Sequence, residues 1–152
     1  MTLAERIEKE YIAAYKSKEQ LKLDVLRLLK TAAKNLLVEL KRPGGVLTDE
    51  EMLGVLIKQG KQRQDSIEQY RAASRPDLAE REAAELAILQ EYLPKPLTQE
   101  ELEAAVDEAV RSTGAVSPQD MGRVMSAIMA SHKGRVDGKI LSAAVRQRLS
   151  GK

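Results

Sequence analysis

The sequence has no cysteine, phenylalanine or tryptophan, and only four tyrosines and one histidine. Without cysteine there is no disulfide framework, thiolate nucleophile, iron–sulfur cluster or cysteine-based zinc site. Aromatics at 3% leave few of the flat side chains that favour strands, which argues for helix throughout and against a β-sandwich or barrel. Proline (5) and glycine (9) are too few in 152 residues for collagen-like repeats, and hydrophobic residues at 43% argue against disorder. No apolar run approaches the roughly 18 residues needed to span a bilayer. The first turn already carries Glu5, Arg6 and Glu8. The reading is a cytoplasmic chain with no membrane partner.

What is present is charge and helical punctuation. Charged residues make up 32% of the chain, yet the net charge is only +2, no strong overall signal for nucleic acid. The distribution says more. Residues 97–120 carry Arg111 against six acids, whereas residues 121–152 carry Arg123, Lys133, Arg135, Lys139, Arg146, Arg148 and Lys152 against Asp137 alone. The C-terminal third is therefore dipolar.

Thr2-x-x-Glu5, Thr48-x-x-Glu51 and Thr98-x-x-Glu101 are capping boxes, in which hydroxyl and carboxylate each satisfy a free backbone N–H. Ser117-Pro118-x-Asp120 is a related start with proline at the first helical position. Stops are expected at Pro43-Gly44-Gly45, Gly114 and Gly134. Between these signals Leu3, Ile7, Tyr11 and Ala14 form one apolar stripe. Leu21 to Leu40 is apolar over an arc wide enough to predict a central, largely buried helix. A long, more polar helix is expected from Thr48 to about Ala73, with Gly54 and Gly60 allowing close packing, then a turn at Ser74–Asp77 and a further helical pattern to Leu93. Three shorter helices, near 99–112, 118–132 and 138–149, carry stripes that cover one another as a small bundle. Pro94 and Pro96 disfavour a continuous helix between the two parts. The expected organisation is thus all-α, with an N-terminal domain over 1–93 and a C-terminal three-helix domain over 97–152.

Catalytic constellations are scarce. His132 sits at a predicted helix end beside Lys133 and Gly134, where a cation favours the dipole, so a capping or surface role is the simpler reading. It has no second histidine as a metal partner, and the carboxylates fall in first turns or on polar faces, so neither metal nor cofactor is expected. The loop Gly134-Arg135-Val136-Asp137-Gly138 suits a helix-to-helix turn capped by Asp137, with Arg135 projecting outward beside a helix N-terminus able to hold a phosphate oxygen. Met121, Met125 and Met129 read as core at i, i+4, i+8. Lys22, Arg27, Lys30, Lys34, Lys41 and Arg42 read first as a solvated helix face and second as a nucleic-acid footprint.

Four ordered stretches carry a likeness to a known family: Arg63-Gln64-Asp65-Ser66-Ile67-Glu68-Gln69-Tyr70; Ser74-Arg75-Pro76-Asp77-Leu78-Ala79-Glu80; Leu89-Gln90-Glu91-Tyr92-Leu93-Pro94; and Asp120-Met121-Gly122-Arg123-Val124-Met125 followed by Gly134–Gly138. With these the chain resembles the GatB/YqeY domain proteins, specifically stand-alone YqeY-like members. Ser74 stands where the family usually has glycine, and Val136 where a small residue is commoner. The resemblance implies an N-terminal helical domain joined to a three-helix domain similar to the tail of the B subunit of tRNA-dependent amidotransferase. That tail contacts tRNA, while the catalytic cradle lies elsewhere. The family label is carbon–nitrogen ligase with glutamine as amido-N-donor, but these residues do not support independent catalysis.

The expected role is a non-catalytic tRNA-associated accessory module. Arg123, Lys133, Arg135, Lys139, Arg146 and Arg148 would meet phosphates. The alternative is a helical adaptor that docks an amidotransferase or synthetase subunit through a surface bearing Arg63, Asp65, Ser66, Tyr70, Arg75 and Asp77.

Overall fold

The computed structural model describes residues 1–151 and is all-α. It divides into two compact units, one ending at Leu93 and the other beginning at Pro94. Seven α-helices run in order among the described residues: α1 (Leu3–Ser17), α2 (Gln20–Glu39), α3 (Asp49–Ala72), α4 (Pro76–Gln90), α5 (Gln99–Thr113), α6 (Met121–Ser131) and α7 (Gly138–Gly151). The three capping boxes form as their spacing requires. Glu5, Glu51 and Glu101 each donate a backbone N–H to the preceding threonine hydroxyl at 3.1–3.2 Å and accept that threonine's own N–H. Ser117-Pro118 begins differently. Pro118–Asp120 form one 3₁₀ turn before α6, and the Asp120 carboxylate takes the Val116 and Ser117 N–H groups at 2.9 and 3.2 Å.

In the first unit α3 and α4 form the most extensively packed helical pair, while α2 packs on α1, α3 and α4. Leu26, Leu29, Leu56 and Leu89 are at most 1% exposed in its core. The helix expected to be largely buried is only half so. Leu23, Val25, Leu26, Leu29 and Leu37 turn inward, but Leu28 and Val38 are 51% and 58% exposed, because α1, α3 and α4 leave its far side uncovered. The two α3 glycines also differ from expectation. A Cβ on Gly60 would meet Leu86 at an ordinary 3.8 Å, and one on Gly54 would have no neighbour within 4 Å.

The α3–α4 turn places Ser74 in the left-handed region, with φ +57°. The Ser74 and Arg75 N–H groups donate to the Arg71 and Tyr70 carbonyls at 3.1 and 2.8 Å. That conformation costs an L-residue roughly 1–2 kcal/mol, and glycine gives part of it back as unfolded-chain entropy. Ser74→Gly is therefore expected to stabilise this unit by about 0.5–1 kcal/mol, read as a higher urea midpoint.

At the end of this unit Tyr92, 5% exposed, donates its hydroxyl to Glu10 at 2.9 Å. Glu10 also meets Arg6 at 2.8 Å and Lys22 at 3.5 Å, and the Arg6 guanidinium stacks 4.7 Å above the Tyr92 ring. Burial pushes the Glu10 carboxyl up, but Tyr92, Arg6 and Lys22 together outweigh it and hold it below its ordinary value. The Tyr92 phenol is pushed far up, by burial first and the Glu10 carboxylate second, so it remains a donor. Because the unfolded chain binds this proton more readily, the network's contribution is full above Glu10's ordinary pKa of 4.5 and fades as pH falls through the lower folded value. Glu10→Gln is expected to flatten that part of the acid limb in pH-dependent urea unfolding.

In the second unit α5, α6 and α7 pack on one another around Leu102, Val106, Val124, Ile128, Leu141 and Val145. Met121 and Met125 pack against this core, whereas Met129 is 40% exposed, so the methionine stripe is core over two of its three positions.

Candidate nucleic-acid interface

Basic side chains of the second unit fall into two groups, according to whether an acid already holds them. Arg123 donates to the Asp120 carboxylate at 2.7 Å and to the Thr113 carbonyl at 3.2 Å. Asp120 is held below its ordinary pKa by the Val116 N–H first, then Arg123 and the Ser117 N–H, so this arginine braces the entrance to α6. Arg148 meets Asp107 of α5 at 2.9 Å.

Arg135 departs most from expectation. It does not project outward: its Nε donates to the Lys95 carbonyl at 2.9 Å, and its guanidinium reaches Glu101 at 3.5 Å. Its own carbonyl accepts the Leu97 N–H at 2.8 Å. Positive φ at Gly134 (+80°) turns the chain after His132 so that Arg135 fastens this loop to segment 95–97. Glu101, the capping-box acid of α5, lies below its ordinary pKa chiefly through its Thr98 bonds, with Arg135 adding to them.

The second group is less neutralised. Lys133 is exposed. Arg146 is exposed and, among the described residues, its guanidinium reaches the Ser142 hydroxyl at 3.5 Å. Lys139 and Arg146 are seven residues apart on α7 and so share a stripe, whereas Arg148, nine residues from Lys139, lies about half a turn away. Of the six expected phosphate contacts, three arginines are engaged by acids within the unit, Lys133 and Arg146 have no carboxylate partner among the described residues, and Lys139 is placed only by its position on the Arg146 stripe of α7. Lys152, counted in the basic excess, lies outside the described residues.

His132 occupies the C-cap of α6 and donates its backbone N–H to the Ile128 carbonyl at 2.9 Å. Its side-chain Nδ1 is buried and bonds none of the described residues. Among the described residues no three histidine, aspartate or glutamate side chains gather as a metal site.

The surface expected around Arg63 is also divided. Arg63 is only 7% exposed. It is paired to Glu85 and, at 3.4 Å, to Glu82, which removes it from any docking surface. Ser66 and Tyr70 are half-buried, and Asp65 is exposed. Positions 63, 66, 67 and 70 follow i, i+3, i+4, i+7 and face inward together, leaving Asp65 on the outer side. Arg75 and Asp77 are exposed and bonded to each other at 3.1 and 3.2 Å, and that arginine holds Asp77 below its ordinary pKa.

Sequence reasoning passed over the Arg6–Glu10–Lys22–Tyr92 group. Its members lie in three distant stretches, and the one signal was a tyrosine at the end of a helical stripe. It likewise missed which cations are neutralised, since Arg135 and its acid Glu101 are 34 residues apart.

No helix among the described residues is long and apolar enough to cross a membrane. Comparison with known proteins gives two relatives. The chain is 31% identical over 97% of its length to altered inheritance of mitochondria protein 41, mitochondrial, of Pyrenophora tritici-repentis, and covers 81% of that protein. It is 36% identical over 59% of its length to an uncharacterized protein of Schizosaccharomyces pombe, covering 70% of it. The profile of the Yqey-like protein family matches residues 4–149, from the second residue of α1 to within two residues of the end of α7; the chain belongs to that family.

Proposed function

We propose that this chain is a non-catalytic, cytoplasmic accessory module that associates with tRNA through the α7 side of its second unit. The carbon–nitrogen ligase association of the resembled proteins, with glutamine as amido-N-donor, enters as the process served, with bond making left to other subunits. The observation that carries this reading is that Lys133 and Arg146 hold exposed charge with no carboxylate partner among the described residues, Arg146 on the same stripe as Lys139. Binding to folded RNA is largely backbone and shape recognition, which such a stripe serves without aromatics. The adaptor alternative keeps Asp65, Arg75 and Asp77 at the surface but gives up Arg63.

The test is tRNA binding across a salt series for the parent and for Lys133→Glu with Arg146→Glu. Arg135 is left intact because its bonds hold the loop. The double variant is expected to bind at least about tenfold more weakly and to lose about two units of salt slope, one per lost phosphate contact. Equal affinity and slope would remove the reading.

A further inference from the structure

We infer that the outer face of α7 takes a base-paired, A-form RNA stem from its minor-groove side and reads the ribose 2′-hydroxyls, so that the site selects a stem and not a loop. The inference rests on the tRNA reading and names the part of the RNA engaged. Six exposed residues cover that face: Lys139, Ile140, Ala143, Arg146, Gln147 and Ser150. Lys139 and Arg146 lie within about 20° of each other and form one row about 10.5 Å long, and Ile140 and Gln147 form a parallel row about 100° further round. Ala143 and Ser150 fall between the rows. The Ser150 hydroxyl donates back to the Arg146 carbonyl at 2.8 Å, so the strip between the rows stays low. The face therefore has two ridges flanking a shallow trough.

No carboxylate side chain interrupts this face. α7 has none from Gly138 to Gly151, and α6 has none either. Asp137 precedes α7 four residues before the buried Leu141, in line with the inner side. Asp107 of α5 meets Arg148, about 160° round the helix from Arg146, and Glu101 meets Arg135. Each row then has its own chemistry. Lys139 and Arg146 suit the phosphates of one strand. The Gln147 side chain is exposed and bonded to none of the described residues, and its carboxamide both donates to and accepts from a hydroxyl. Ile140, 57% exposed, packs on ribose carbons. The A-form minor groove is wide, shallow and lined with 2′-hydroxyls, while its major groove is closed to side chains, so a helix with a low centre meets the stem from the minor-groove side. Unpaired RNA is held by stacking bases on aromatic rings, and all four tyrosines precede Pro94, so the second unit has no ring to stack them on. A carboxylate-bearing protein helix would match the cations, but one large apolar side chain is too little to anchor it.

The probes are a labelled RNA hairpin whose stem spans about one helical turn, the DNA hairpin of the same sequence, and an unpaired RNA of the same length. Each is titrated with the full chain and read by fluorescence anisotropy. The RNA hairpin is expected to bind at least about tenfold more tightly than either of the others. Gln147→Ala should weaken the RNA hairpin several-fold and leave the DNA hairpin unchanged, so that the ratio between them falls, with far-UV circular dichroism unaltered. Ala143→Leu fills the trough with a good helix former and should weaken the RNA hairpin by a similar factor. The inference is overturned by no binding of the RNA hairpin, equal binding of the two hairpins, or unpaired RNA bound as tightly as the stem. It is also overturned if Gln147→Ala affects RNA and DNA alike or neither, if Ala143→Leu has no effect, or if polyglutamate displaces the RNA hairpin as readily as unlabelled hairpin does. The two readings fail separately: if tRNA binding still responds to salt and to Lys133→Glu with Arg146→Glu while the hairpins do not differ, only this inference falls.

Discussion

Arg63→Met is expected to destabilise the first unit by about 3–5 kcal/mol, because it strands Glu85 as an uncompensated charge in the interior. Glu85 is only 9% exposed and sits opposite Arg63 across the α3–α4 pair. Glu82 is more accessible and rehydrates more easily, with 23% of its side chain exposed. Arg81 does not replace the lost partner: it stands 3.5 Å from Glu85 with 68% of its own side chain in solvent, and an exposed pair contributes little. In a unit of this size such a loss lowers the unfolding midpoint by more than about ten degrees. The informative companion is the double replacement Arg63→Met with Glu85→Leu. The native pair is imperfect, since the buried Arg63 Nε bonds none of the described residues, and an incompletely satisfied buried pair gains little over apolar side chains of similar volume. The double variant is expected to recover most of the lost stability in thermal unfolding. If it is no more stable than Arg63→Met alone, the uncompensated charge was not the cause.

Leu141→Ala should have its effect on the other unit. Leu141 is fully buried on α7 against α5 and α6, and truncating such a leucine costs about 2.7–5 kcal/mol, depending on how far the site collapses. Fewer than 60 residues surround this core, and domains that small have little stability to lose. The outcome is readable because Tyr11, Tyr15, Tyr70 and Tyr92, the chain's only aromatic residues, all precede Pro94. Near-ultraviolet dichroism therefore reports the first unit alone, while the far-ultraviolet helix signal reports both. Leu141→Ala is expected to lower part of the helix transition by many degrees and leave the tyrosine transition in place. A tyrosine transition that moved equally would show that the two units unfold together.

Helix positions were legible in the residues because their causes are local. A threonine three residues before a glutamate closes a capping box wherever the chain lies, and all three such pairs do so. The apolar stripe of α7 named Leu141 and Val145 as core because helical spacing alone puts them on one side. Even the 3₁₀ entrance to α6 shows as a start signal, though its exact turn depended on the Asp120 carboxylate taking two backbone donors.

Charge was the harder matter. A lysine or arginine in a sequence is a cation in every case, but what it offers a ligand depends on the nearest acid, and that acid is set by how distant segments pack. Arg135 read as a phosphate contact and is instead bonded to a carbonyl 40 residues away. Arg63 read as a surface group and is buried on α3 against the α4 carboxylates of Glu82 and Glu85. Lys34 was one of six similar cations and is one that keeps its charge exposed. The sequence by itself thus determined the helices, their inward faces and the family, since each follows from short-range spacing or from an ordered set of motifs. Only the tertiary structure decided which charges remain for a partner and which apolar side chains stay uncovered, because neutralisation and burial depend on distances between residues far apart in the chain.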